Sequence, residues 1–252
     1  MQPSGRSRSC GIHKQIKRID VTQIEIRYQP SSALALVTLD AGETIQAESG
    51  AMVGMSPGLQ VQTAAQGGLL KSLSRSLLGG ESFFLNTFTA QRQGDSVALA
   101  PPLPGDVAVI EIDGEELLVQ SGSYLAASAG VKVDTKWSGA KTFFGGEGLI
   151  MLRITGKGTL IVSSYGAIHP IELAVGQSYV IDTGHLVTFE SHMKYQVKKV
   201  AGWKSTLFSG EGLVVELTGP GKLTLQSRSQ DAFLSWLIPK LPTKTTTTSA
   251  GS

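Results

Sequence analysis

Apolar and polar residues alternate along short stretches of this chain. Ile24, Ile26 and Tyr28 are spaced by two, as are Ile150, Leu152 and Ile154, and again Leu213, Val215 and Leu217. A period of two is the signature of half-buried β-strands, since successive side chains point to opposite faces. Between these runs stand most of the 30 glycines, which punctuate strands with turns. The pattern predicts an all-β protein of many short strands.

The strands come in recurring company. Gly-Glu pairs fall at Gly80-Glu81, Gly146-Glu147 and Gly210-Glu211, each opening an apolar run, with the glutamates 66 and 64 residues apart. A second marker precedes each pair. "ESGAMVGMSPGLQVQT" (48–63) matches "QSGSYLAASAGVKVDT" (120–135) and, more faintly, "DTGHLVTFESHMKYQVKK" (182–199). Their glycines Gly50, Gly122 and Gly184 are 72 and 62 residues apart. Two markers advancing by about the same step predict three tandem copies of a small β-sandwich or barrel-like unit. The expected divisions are a basic leader over 1–20, repeats over 21–94, 95–165 and 166–230, and an apolar patch with a polar tail over 231–252. Thr89, Thr155 and Thr218 close the strands after the glutamates. "TGKGTLIV" and "TGPGKLTL" then read as hairpin turns.

The first copy is longer. Gly50 to Gly80 spans 30 residues, whereas Gly122 to Gly146 spans 24. The extra stretch places Leu69, Leu73 and Leu77 four apart, with Lys71 and Arg75 also four apart. That spacing predicts a short amphipathic helix over 69–78, bounded by glycines. Two uses suit it: plugging one end of a β-unit or packing at a subunit interface, which is the favoured reading, or lying on a membrane or partner. The C-terminal run "DAFLSWLIPKLP" (231–242) adds Phe233, Trp236, Leu237 and Ile238, and the same two uses apply.

Composition narrows the chemistry. A formal charge of +2 with 17% charged residues leaves no electrostatic footprint for nucleic acid. Lys194, Lys198, Lys199 and Lys204 cluster, but Gln60 and Gln62 stand where the second copy has Lys132. Cys10 stands alone, so no internal disulfide framework exists. The leader is basic and lacks an apolar h-region, which suits a disordered leader and, more loosely, a transit peptide. Of His13, His169, His185 and His192, none sits in H-x-H or H-E-x-x-H spacing, and His169 with Glu172 is only a pair. Ser209-Gly210 lacks the G-x-S-x-G frame, and neither "GKG" nor "GPGK" completes a phosphate loop. The residues therefore predict no catalytic, cofactor or metal site.

"GGESFFLNTFTA" (79–90), "AESGAMVGM" (47–55) and "GGEGLIMLRITGKGTLIVSSYG" (145–166) resemble the mitochondrial biogenesis protein family, the altered-inheritance-of-mitochondria type. The likeness covers roughly residues 21–230. It implies a fold like the tryptophan RNA-binding attenuation protein: short double-stranded β-helix units in a ring, three per chain and nine per homotrimer. It implies no catalytic residues.

The expectation is thus a non-enzymatic, ring-forming homotrimeric scaffold without a cofactor, partnered by itself and by a membrane surface or membrane protein. The contacts to that surface would come from Leu69, Lys71, Leu73, Arg75, Leu77 and Trp236. Its expected compartment is the cytoplasm, with mitochondrion or another organelle's inner membrane as alternative. A small-molecule or RNA-binding module is the second reading. Glu81 and Glu147 are expected to accept backbone hydrogen bonds at the turns rather than to form a ligand site. Glu81→Ala and Glu147→Ala should each cost about 1 kcal/mol in scanning calorimetry. Unchanged stability with a lost ligand would make the carboxylates a site instead.

Overall fold

A computed structural model describes residues 15–19, 22–65, 84–135, 149–199 and 213–242. The first strands, β1 (Gln15–Ile19) and β2 (Thr22–Arg27), form an antiparallel hairpin. Ile24 and Ile26 are buried as their alternation predicts, but Tyr28 does not continue the strand. It turns out at φ 62° and is exposed, because the chain leaves the sheet there.

Six strands follow: β3 (Leu34–Leu39), β4 (Thr44–Glu48), β5 (Met52–Met55), β6 (Leu59–Ala65), β7 (Phe84–Ala90) and β8 (Asp95–Leu99). Two antiparallel ladders result, β3–β8–β5 and β4–β7–β6. Since β8 pairs with both β3 and β5, it joins this first group, beyond the boundary expected at residue 94. Next come β9 (Val107–Asp113), β10 (Leu117–Gln120), β11 (Tyr124–Ser128), β12 (Val131–Asp134) and the thirteen-residue β13 (Met151–Ser163). The first half of β13 pairs with β10 and β12, and its second half with β9 and β11. The last group is β14 (Ile168–Leu173), β15 (Ser178–Asp182), β16 (Leu186–Glu190), β17 (Lys194–Lys199), β18 (Leu213–Thr218) and β19 (Gly221–Gln226). Its ladders are β14–β19–β16 and β15–β18–β17. A helix, α1 (Gln230–Leu237), closes the described chain, with the Ser229 side chain capping its N-terminus.

Ladders of successive groups join edge to edge. β4 pairs with β11, and β10 pairs with β16. Two six-strand sheets are completed in this way, β9–β13–β11–β4–β7–β6 and β14–β19–β16–β10–β13–β12, and the length of β13 makes it a member of both. The cores lie between ladders. Val37, Leu39, Ile45, Phe88 and Leu99 fill the first, Val119, Tyr124, Leu152, Ile154 and Leu160 the second, and Leu186, Phe189, Val215 and Leu217 the third. Leu125 and Ile161 from the second group complete the first core, so neighbouring groups share side chains as well as hydrogen bonds.

The glycine turns at 155–158 and 218–221 are not hairpins. "TGKG" lies inside β13, and "TGPG" carries the chain from β18 to β19, which belong to different ladders. Both are corners at which the chain crosses from one sheet to another. Gly156 carries the first, at φ 102°, and a Cβ there would collide with the Gly130 carbonyl oxygen. Gly156→Ala should therefore lower stability by about 1–3 kcal/mol in urea unfolding. A change within error would show that the corner relaxes freely.

Candidate interaction surfaces

Two sheets stop short of the six-strand pattern. The sheet β1–β2–β3–β8–β5 ends on β5, and the sheet β15–β18–β17 ends on β15. Neither strand has a partner on its outer side among the described residues. Both edges are apolar. Met52, Val53 and Met55 on β5 are 44%, 63% and 42% exposed, and Tyr179 and Val180 on β15 are 42% and 59% exposed.

The corresponding residues elsewhere are covered. Two, three and five residues after Gly50 stand Met52, Val53 and Met55. At the same steps after Gly122 stand Tyr124, Leu125 and Ala127, and after Gly184, Leu186, Val187 and Phe189; all six are buried. A register shift interrupts β5, β11 and β16 at the same step, between Met52 and Gly54, Tyr124 and Ala126, and Leu186 and Thr188. On the β15 side, Tyr179 corresponds to Ile45 and Leu117, both buried, and Val180 to Gln46 and Leu118. What buries them is the neighbouring group; across the β4–β11 junction the Tyr124 hydroxyl donates to the Gln46 carbonyl at 3.2 Å.

The other outer strands are protected differently. β14 carries Pro170 and Glu172, β17 three lysines, β9 Glu111 and Asp113, and β12 Lys132 and Asp134, while β6 presents Gln60, Gln62 and Thr63. Charges and proline deter strand addition. β5 carries no charge and β15 only its terminal Asp182, whose carboxylate is turned onto the Gly184 N–H at 2.8 Å.

Further surfaces flank these edges. On α1 and the turn after it, Trp236, Ile238 and Leu241 are more than half exposed, and Lys240 Nζ lies 4.9 Å from the Trp236 ring centre. Phe233 packs edge-on to Tyr165 with ring centres 6.0 Å apart, so the helix is anchored on one face only. A groove of about 530 Å³ runs between β9 and β14, lined by Ile110, Ile112, Leu117, Ile171, Glu172 and Lys222 among others. His169 and Glu172 sit three apart on β14 and so face opposite sides of the strand. His185 Nδ1–H donates to the Gln226 carbonyl at 2.8 Å. Gly80, Glu81, Gly146, Glu147, Gly210 and Glu211 lie outside the described residues, as do Leu69, Lys71, Leu73, Arg75, Leu77, Cys10 and His13. Among the described residues no group of three or more His, Cys, Asp or Glu could hold a metal ion, and no helix is long and apolar enough to cross a membrane. The open edges were missed in the sequence, though the uncharged "MVGM" after Gly50 was a usable signal.

These features define an all-β protein of edge-joined ladders with two apolar edges left open among the described residues. The chain matches the mitochondrial biogenesis AIM24 family over residues 24–228 and belongs to it. It is 28% identical over 242 residues to the uncharacterized protein M6_Spy0233 of Streptococcus pyogenes serotype M6, spanning 92% of this chain and 96% of that one. The crystal structure of protein SPYM3_0169 from Streptococcus pyogenes superposes with a TM-score of 0.72 at 24% identity, over 87% of this chain and 100% of that one. It shares the fold.

The β5 edge is braced from behind by Asp95. Burial works to raise the Asp95 pKa, but hydrogen bonds from the Ser56 hydroxyl at 2.9 Å and from the backbone N–H groups of Arg92 and Gln91 outweigh it. The net effect, with Arg92 nearby, is a value below the ordinary carboxylate range. A depressed folded-state value means the stabilisation is full above the unfolded pKa and is lost as pH falls through the folded one. Asp95→Asn should lower stability at neutral pH and flatten its decline on acidification in urea titrations. An unchanged acid slope would remove Asp95 from that decline.

Proposed function

We propose that this protein is a non-enzymatic scaffold that assembles as a homotrimeric ring and lies against a membrane surface. The observation that carries the assembly is the pair of open apolar edges at opposite ends of an otherwise continuous run of joined ladders. Residues that neighbouring groups bury twice within the chain are left in solvent at its two ends. A chain with complementary edges at its two ends joins head to tail, and such contacts close into rings when the rotation per chain permits. Three copies of one six-strand unit per chain, with three chains per ring, is the closure proposed.

Membrane contact draws on other residues. Trp236, Ile238 and Leu241 beside Lys240 combine an apolar body with a cationic rim, which suits the headgroup boundary. The leucines at 69, 73 and 77, with Lys71 and Arg75, would supply the second anchor that stable surface binding requires. We place the ring in the cytoplasm. The mitochondrion, at its inner membrane, is the alternative, and the mitochondrial biogenesis description of its family favours that compartment. A small-molecule binding module is the second reading, and the groove between β9 and β14 favours it.

One experiment addresses assembly, membrane contact and ligand binding together. The full chain and its Leu73→Glu/Leu77→Glu variant are weighed by native mass spectrometry and floated with anionic liposomes. The expected result is a mass three times the 26.6 kDa chain for both proteins, with flotation abolished in the variant. A monomer would end the ring proposal. Loss of the trimer in the variant would make the helix a packing element, and a reproducible added mass would make the protein a ligand carrier.

A further inference from the structure

The two junctions inside the chain obey one register, and it can be extended to the chain's ends. Between β11 and β4, Ala126 faces Ala47, Ala127 faces Gln46 and Ser128 faces Ile45. Between β16 and β10, Thr188 faces Val119, Phe189 faces Leu118 and Glu190 faces Leu117. Each strand can be counted from the glycine of its own turn, Gly50, Gly122 or Gly184. In both junctions the residue four after one glycine then faces the residue three before the preceding group's glycine. The steps five and four, and six and five, follow in turn. This agreement holds although the side chains differ, so the register belongs to the backbone geometry and not to particular residue pairs.

We propose that β5 of one copy adds to β15 of a second copy in this same register, antiparallel, with Gly54 facing Ile181, Met55 facing Val180 and Ser56 facing Tyr179. The inference rests on the self-assembly reading above and specifies its interface. The five-strand and three-strand sheets then become one continuous sheet, β1–β2–β3–β8–β5 followed by the partner copy's β15–β18–β17. That order is the one in which the two complete sheets run: a ladder ending on its β5-type strand, then a ladder beginning on its β15-type strand.

Three features of the surfaces fit this occupant. β5 carries no charge and β15 only the turned-in Asp182, whereas β9, β12, β14 and β17 carry lysines, acids or proline; the uncharged outer strand β6 instead presents Gln60, Gln62 and Thr63 beside Val61. The large exposed residues of the β5 and β15 edges are apolar, and their counterparts at the internal junctions are buried except Gln46, which is half-buried. Among the described residues nothing stands within 4 Å of where a Gly54 Cβ would be, so the sheet face beside this edge is uncrowded. Val53 occupies the shifted position at which Leu125 and Val187 are buried, and it would be covered in the same way. A non-self strand would need the same spacing of apolar residues; the second copy already has it.

The test is a cysteine scan in the full chain with Cys10→Ser as background. Met55→Cys/Val180→Cys places both thiols on facing positions, whose Cβ atoms lie about 4.5–5.5 Å apart in an antiparallel pair. Met55→Cys/Tyr179→Cys shifts one partner by a residue and turns the thiols to opposite faces. Each variant is weighed by native mass spectrometry, oxidised gently, and resolved under denaturing, non-reducing conditions. The expected result is an intermolecular covalent ladder from the 55/180 pair, at least tenfold stronger than from the 55/179 pair. An intact oligomer without that preference would overturn the register and leave self-assembly standing. A monomeric wild-type chain would overturn both. Hydrogen exchange on the unmodified protein supplies a second measurement. Amides over 54–56 and 179–181 should be protected in the assembled form, and free exchange in both segments would overturn the pairing even if a cysteine variant failed to fold.

Discussion

A strand has two hydrogen-bonding edges, and the architecture of this protein follows from how each is satisfied. Unpaired backbone N–H and C=O groups are costly once removed from water. Within a group, β3, β9 and β14 take one side of a central strand and β5, β11 and β16 the other. The inner edges of β4 and β10 are satisfied only by the next group's β11 and β16. Successive groups are therefore bound by backbone hydrogen bonding as much as by packing, and none of the three ladder pairs is a free-standing domain.

β13 shows how far this interdependence goes. One strand serves two sheets, and the corner at Gly156, with its positive φ, lets it change partners without an intervening loop. Where the third group makes the same crossing, the chain breaks into β18 and β19 around Gly219 and Pro220. The cores are interlocked to match. Leu125 and Ile161 sit with Val37 and Phe88, and Leu85 sits with Tyr124 and Leu152. Burial pushes the Tyr124 pKa up, with the nearby Glu48 adding to it, and this keeps a neutral phenol bonded to the Gln46 carbonyl across the junction.

The same rule that builds the interior leaves the ends unfinished. An apolar edge on β5 and another on β15 are a liability in an isolated chain and an interface in an assembled one. The proposed function depends on that distinction, with the apolar face of α1 as a separate surface. The groove between β9 and β14 lies away from both ends, so assembly and ligand binding would not compete for the same residues.

Much of the local structure was written in the sequence. Of the nine residues that alternation marked, Ile24, Ile26, Leu152, Ile154, Val215 and Leu217 are buried, Ile150 and Leu213 are half-buried, and Tyr28 is exposed. Their periodicity is local, as side-chain direction in a strand repeats every two residues whatever the fold. The glycines Gly50, Gly122 and Gly184 marked turns for the same local reason. What alternation could not state is which strand lies beside which. "TGKG" and "TGPG" read as hairpins because a glycine turn between two apolar runs has the same local chemistry whether the chain doubles back or crosses to another sheet. Met52, Val53 and Met55 follow Gly50 with the same apolar chemistry that Leu186, Val187 and Phe189 show after Gly184. Only the tertiary structure distinguishes them, because burial depends on whether a neighbouring ladder exists to cover the strand, and that is a property of pairing across long sequence separations.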